Sequence, residues 1–240
     1  YVFVADQQNN KISVWDKNGT CRKIYHVTYD GEARDVEIKK IGDIYYMFIA
    51  VGRNGTKDNI LMYKGTSLLN LKRVTSTGGG NYWLGSKLID TWGVALDENL
   101  SKLYAVDGGY DRSYWPPNLV KRYDFSASSL NYTDSGDAFI GSTGWASSSN
   151  GQFYGPVAID VDSNSNIYVS DRYNHRIQKF NSNGNFICKY GRYGGYRPNS
   201  EGYFYYPWGL AIDSSDNVYI ADSYHHSIRV YDSSCNYVTG

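Results

Sequence analysis

The chain has 240 residues, 41% of them hydrophobic and 20% charged, and its 24 Lys and Arg balance 24 Asp and Glu. That length can bury a full core. The zero net charge removes any global field that would draw in nucleic acid or an anionic membrane, and no apolar run approaches the roughly 20 residues of a membrane-spanning helix.

In chain order, the first β-rich runs are residues 2–6 and 10–15, followed by 35–38, 46–51 and 60–63. Residues 92–97, 103–107 and 119–123 follow in the same style. The clearest runs are 156–180 and 207–231, which repeat each other: Pro156 to Pro207 and Asp171 to Asp222 are both 51 residues apart. Each run is short, alternating and bounded by Asp, Asn, Ser or Gly, which reads as a strand between tight turns. A repeat of this length made of four such strands predicts a β-propeller, an all-β ring of four-stranded antiparallel blades. Five units are visible, at approximately 1–28, 29–75, 92–144, 153–191 and 204–240. The first unit opens on its second strand, so five outer trios are matched by four innermost strands. Tyr1 stands inside a strand without an initiator Met or a leader, so the chain reads as a mature product, a trimmed product or a fragment.

The segment Asp171-Arg172-Tyr173-Asn174-His175-Arg176-Ile177 resembles the Asp-x-x-Asn-His-Arg-Ile core of the NHL repeat. Phe153-x-x-Pro156 and Phe204-x-x-Pro207 are similar to the lead-in of that family. The resemblance implies a single propeller over residues 1–240, usually of six blades, with each first strand lining a central channel. A sixth blade at this period needs roughly 50 more residues. Five closed blades, a missing blade or a neighbouring molecule would each satisfy the count, and an open blade edge is a route to homo-oligomers.

Most of the extra length falls in the connections between second and third strands and between blades, on one propeller face. Aromatic and arginine side chains collect there, and stacking faces beside guanidinium forks point to a binding surface. Tyr110, Tyr114, Trp115, Arg172, Tyr173, Tyr193, Tyr196, Arg197 and Tyr224 are the candidate contact residues. Phe153 and Phe204 belong to the repeat and are expected to be structural.

His175 and His226 share one repeat position, which favours a hydrogen-bonding role in a turn, and His225 and His26 have no evident partner. Asp97, Asp160 and Asp213 are read as recurring at the ends of the first strands. Asp6, Asp107, Asp171 and Asp222 recur at the ends of the second strands. Such repetition favours backbone capping over catalysis. Residues 162–166 begin like a calcium loop, but the Gly and Glu of that motif are missing, so they read as a polar turn. Some proteins of the resembled type are zinc lyases with histidines on the innermost strands; here those positions hold Trp92, Val157 and Trp208, so no metal, cofactor or catalytic residue is expected. Cys21, Cys188 and Cys235 have no metal-like spacing and read as small apolar residues. Four Asn-x-Ser/Thr sites, at Asn18, Asn54, Asn99 and Asn131, are compatible with secretion.

These features predict a non-enzymatic extracellular or cell-surface module that binds a protein, a glycan or a copy of itself, with nucleic acid disfavoured. A metal-dependent propeller hydrolase or lyase and a self-assembling structural subunit are the alternatives.

Overall fold

Alternation of apolar and polar residues, interrupted by Asp-, Asn- and Gly-rich turns, folds the chain into short antiparallel strands. The computed structural model describes residues 1–27, 31–52, 59–74, 88, 90–108, 117–125, 138–143, 146–192 and 202–240. Blade 1 contains β1 (Val2–Asp6), β2 (Lys11–Trp15) and β3 (Cys21–His26). Blade 2 contains β4 (Glu32–Ile41), β5 (Ile44–Gly52), β6 (Asn59–Gly65) and β7 (Lys72–Arg73). Blade 3 contains β8 (Thr91–Asp97), β9 (Lys102–Asp107), β10 (Pro117–Asp124) and β11 (Ala138–Thr143). Blade 4 contains β12 (Pro156–Val161), β13 (Ile167–Asp171), β14 (Arg176–Phe180) and β15 (Phe186–Tyr190). Blade 5 contains β16 (Pro207–Ile212), β17 (Val218–Asp222), β18 (Ser227–Tyr231) and β19 (Tyr237–Thr239). Within each blade every strand pairs with its neighbours in sequence. Blade 1 has three strands and the others four, as the repeat count predicts.

Turn chemistry explains the recurring residues. In blades 1, 4 and 5 the turn between second and third strands is one 3-10 turn closed by a left-handed residue: Asn10 (φ 49°), His175 (φ 55°) and His226 (φ 51°). His175 Nδ1 also accepts the Tyr206 amide at 3.1 Å. Asp171 Oδ1 accepts the Tyr154 amide at 2.7 Å and Asp222 Oδ1 accepts that of Tyr205 at 2.8 Å, so each tethers the segment leading into its own blade. Their second oxygens are paired with Arg176 (2.7 Å) and Arg229 (3.0 Å). His225, expected to stand alone, is buried 2.7 Å from Asp222 Oδ2. It takes the place of Asn174, whose amide donates to Asp171, because a buried carboxylate needs several donors.

The pairing register corrects one further expectation. Asp160, Ala95 and Ala211 sit opposite Tyr168, Tyr104 and Tyr219, so they are equivalent. The residue matching Asp97 and Asp213 is therefore Asp162, and Asp160 does not recur. Asp162 accepts the amides of Asn164 (3.0 Å) and Asn166 (2.8 Å), as a polar turn should. The cysteines also depart from expectation: Cys188 of β15 and Cys235 of the next blade are joined by a disulfide, and Cys21 is free and exposed.

Four apolar clusters join successive blades. Ile12 meets Met47 and Ile49; Phe48 and Ile60 meet Val94 and Leu103; Tyr104 and Val120 meet Ile167 and Phe180; Tyr168 and Ile177 meet Val218 and Ile220. Phe153 and Phe204 are buried in the last two clusters, consistent with a structural role. Among the described residues no cluster joins blade 5 to blade 1. The flanks left there are complementary in repeat position. Blade 5 exposes Tyr219 and Ile228, and blade 1 exposes Val2, Val4 and Trp15.

Candidate functional site

Each innermost strand begins with a register shift: at Arg34 in β4, Trp92 in β8, Val157 in β12 and Trp208 in β16. A bulge re-aims its extra side chain. These four, all at one repeat position, line a cavity of about 320 Å³ between the four innermost strands, together with Asp35, Glu37 and Asp160. A second cavity of about 490 Å³ opens at the far ends of the same strands, lined by Lys39, Asp97, Glu98, Asp162, Asp213 and Asp216.

At the first mouth Trp92 and Trp208 meet edge to face, 5.6 Å between ring centroids. An arginine lies 4.0 Å above each indole, Arg34 on Trp92 and Arg172 on Trp208. The two cations are in different states. Arg34 is buried and paired with Asp90, and its charge is also 3.6 Å from Glu32. Arg172 donates to the Tyr173 hydroxyl at 3.2 Å, while its Nε is buried without a hydrogen-bond partner. Among the described residues no carboxylate forms an ion pair with it. Stacking on an indole returns roughly 0.5–2 kcal/mol. Tyr154, Tyr173, Tyr205, Tyr206 and Tyr224 continue outward as a chain of rings, with neighbouring centroids 4.8–5.7 Å apart.

Deeper in the channel three acids break the repeat. Innermost strands have unpaired edge amides, and these carboxylates cap them. Asp35 accepts from Val94 at 3.0 Å and Asp160 from Ile212 at 2.8 Å, each across to the next blade. Their other oxygens accept the amides of Val36 and Val161. Burial pushes Asp35 up to about 6 and raises Asp160 as well. Glu37 sits opposite Phe48, in the position equivalent to Asp160. It draws a hydrogen bond from the Leu96 amide, and its Oε1 has no hydrogen-bond partner but lies 3.4 Å from Lys39 Nζ. Burial pushes Glu37 up to about 7, with Lys39 opposing the shift. Burial pulls Lys39 down, but Glu37 and Asp160 outweigh it and leave the ammonium raised. Glu37 is thus a carboxyl that exchanges protons near neutrality beside a cation, inside a walled cavity. Among the described residues no group of three or more His, Cys, Asp or Glu converges as a metal site.

Of the predicted contact residues, the structure brings Arg172, Tyr173 and Tyr224 together at the mouth, where Arg172 is 4.9 Å from the Tyr173 ring centroid. Tyr110, Tyr114, Trp115, Tyr193, Tyr196 and Arg197 lie outside the described residues. Sequence reasoning missed Glu37 and Asp35 and misassigned Asp160. Alignment of first strands on their bulge residues would have shown acids where other blades carry Ala95 and Ala211.

The NHL repeat family matches residues 153–180 and 204–231. No curated protein matches the sequence. Among solved structures, a streptogramin B lyase is similar at 13% identity and a TM-score of 0.53, over 99% of this chain and 64% of that one. A gluconolactonase from Xanthomonas campestris gives 10% and 0.50, over 91% and 64%. A luciferin-regenerating enzyme gives 15% and 0.54, over 97% and 74%. The chain therefore spans under two thirds of the first two, and at these identities the likeness is one of fold. It does correct the expectation of a non-enzymatic module, because named enzymes are built on this scaffold. Recurrence removed the scaffold His and Asp residues from catalysis but had no bearing on channel residues that do not recur. Residues 153–180 and 204–231 match the NHL repeat, and the chain is a β-propeller that carries these two repeats.

Proposed function

We propose that the chain is a hydrolase or lyase that binds a small molecule in the central channel and transfers a proton at Glu37. The observation that carries this is the Glu37–Lys39 pair: a largely buried carboxyl pushed up to about 7, one oxygen fixed by a neighbouring blade and the other paired only with the Lys39 ammonium. A group titrating close to working pH combines the right protonation state with proton-transfer drive. Lys39, 3.4 Å away, holds the charge that appears when Glu37 gives up its proton. Asp35 and Asp160, with both oxygens engaged by amides, position strands and do not take part. Trp92, Trp208 and the tyrosines outside them form the entrance. Neighbours named as a lyase and a gluconolactonase support the choice of reaction class. The Cys188–Cys235 bridge supports work in an oxidising, extracellular setting.

The test is turnover of a panel of lactones, esters and substrates prone to elimination by purified protein. Glu37→Gln should lower kcat by roughly 100-fold or more with an unchanged melting temperature at pH 5. Equal turnover by the wild type and Glu37→Gln, or no turnover across the panel, would reject the assignment.

A further inference from the structure

Arg172 occupies the first position of the turn between β13 and β14; the equivalent residues are Gln7 in blade 1 and Ser223 in blade 5. The repeat therefore does not require a cation here. Among the described residues it has no carboxylate ion-pair partner, and its Nε, like that of Arg34, is buried without a hydrogen-bond partner. The turn that follows depends on other groups, with Arg176, Asn174 and Gln178 satisfying Asp171. The guanidinium plane is instead held by rings: Trp208 at 4.0 Å, Tyr173 at 4.9 Å and Tyr206 at 5.8 Å. Arg34, the other arginine at the mouth, is already engaged by two acids, Asp90 and Glu32.

With Nε buried and one terminal nitrogen also donating to Tyr173, the guanidinium presents its terminal edge, whose remaining N–H groups match a carboxylate bidentately. With no second unpaired cation and no cradle of amides beside it among the described residues, this arginine suits one carboxylate better than a phosphate. Trp92 and Trp208, edge to face beside it, offer an apolar wall for the body of the same molecule.

We propose that Arg172 is the specificity-determining residue of the channel and selects small molecules that carry a carboxylate on an apolar or planar body. The proposal rests on the assignment of the channel as the substrate site but is independent of the chemistry at Glu37.

Titration calorimetry with phenylacetate, 4-phenylbutyrate and their uncharged amides tests this on the intact chain. Both carboxylates should bind, and each amide should bind at least tenfold more weakly. Arg172→Gln should abolish that preference, and Arg172→Lys should restore part of it, since an ammonium keeps the charge but loses the fork. Glu37→Gln should bind the carboxylates like wild type. Binding that persists in Glu37→Gln without any turnover in wild type would leave this proposal standing and defeat the catalytic one. Equal affinity for acid and amide, no carboxylate binding, or an Arg172→Gln protein that folds and keeps the preference would overturn it. Should Arg172→Gln fail to fold, an Arg172→Lys protein with undiminished affinity and preference would do so instead.

Discussion

Glu37 and Asp171 are both buried acids pushed upward by desolvation, yet they serve different ends. Asp171 is surrounded by donors that belong to the repeat, and removing them would leave a charge stranded. Glu37 has one oxygen paired only with the ammonium of Lys39, which leaves it able to exchange a proton. The shifts predict a pH dependence. Glu37 (about 7), Asp35 (about 6) and Asp171 (about 6) hold protons more tightly folded than unfolded. These three make the folded chain the more protonated state between about pH 4 and 7, so stability falls as pH rises through that window, with His175, lowered by burial, opposing part of the decline. Turn aspartates Asp16, Asp213 and Asp232, lowered by hydrogen bonds, act in the opposite direction below it. Urea midpoints between pH 4 and 8 should show the decline, and Glu37→Gln should flatten its upper half; a rise in stability across pH 5 to 7 would contradict the assignment. None of this was legible from spacing, because Glu37 lies in a first strand whose sequence has drifted from the template. Its role appears only when pairing places it opposite Phe48.

Strands and turns, by contrast, were readable, since each depends on local chemistry. Asp-Arg-Tyr-Asn-His and Asp-Ser-Tyr-His-His fold into the same turn because the fifth residue of each tolerates a left-handed backbone. What spacing could not show is a contact between elements of different blades. The bond between Cys188 and Cys235 links the outermost strand of blade 4 to the turn before β19, across 47 residues. A closed loop of that length should contribute about 4 kcal/mol. Reduction, or Cys188→Ser, should therefore lower the melting temperature by roughly 8–16 °C. Thermal melts with and without a reductant, read against Cys21→Ser as a control, decide the matter, and an unchanged melting temperature would show that the bridge adds nothing.

Across the whole molecule, equivalent residues live in different environments. Ile177 is fully buried between blades 4 and 5, while Ile228, one repeat later, is 56% exposed. Ile177→Ala should cost about 2–5 kcal/mol, and Ile228→Ala roughly 0.5 kcal/mol or less. Denaturant unfolding of the two variants measures this directly. Equal costs would mean that the flank of blade 5 is covered in solution. Sequence counting anticipated the asymmetry, because five outer trios and four innermost strands cannot all be paired alike. The period alone could not say which side chains would carry it.

The bulge that opens every innermost strand has a consequence for how such a ring changes over time. It leaves one side chain per blade outside the ladder, so Arg34, Trp92, Val157 and Trp208 carry no register of their own. The mouth is in effect a four-place lock whose tumblers turn one at a time, with the walls that hold them unchanged.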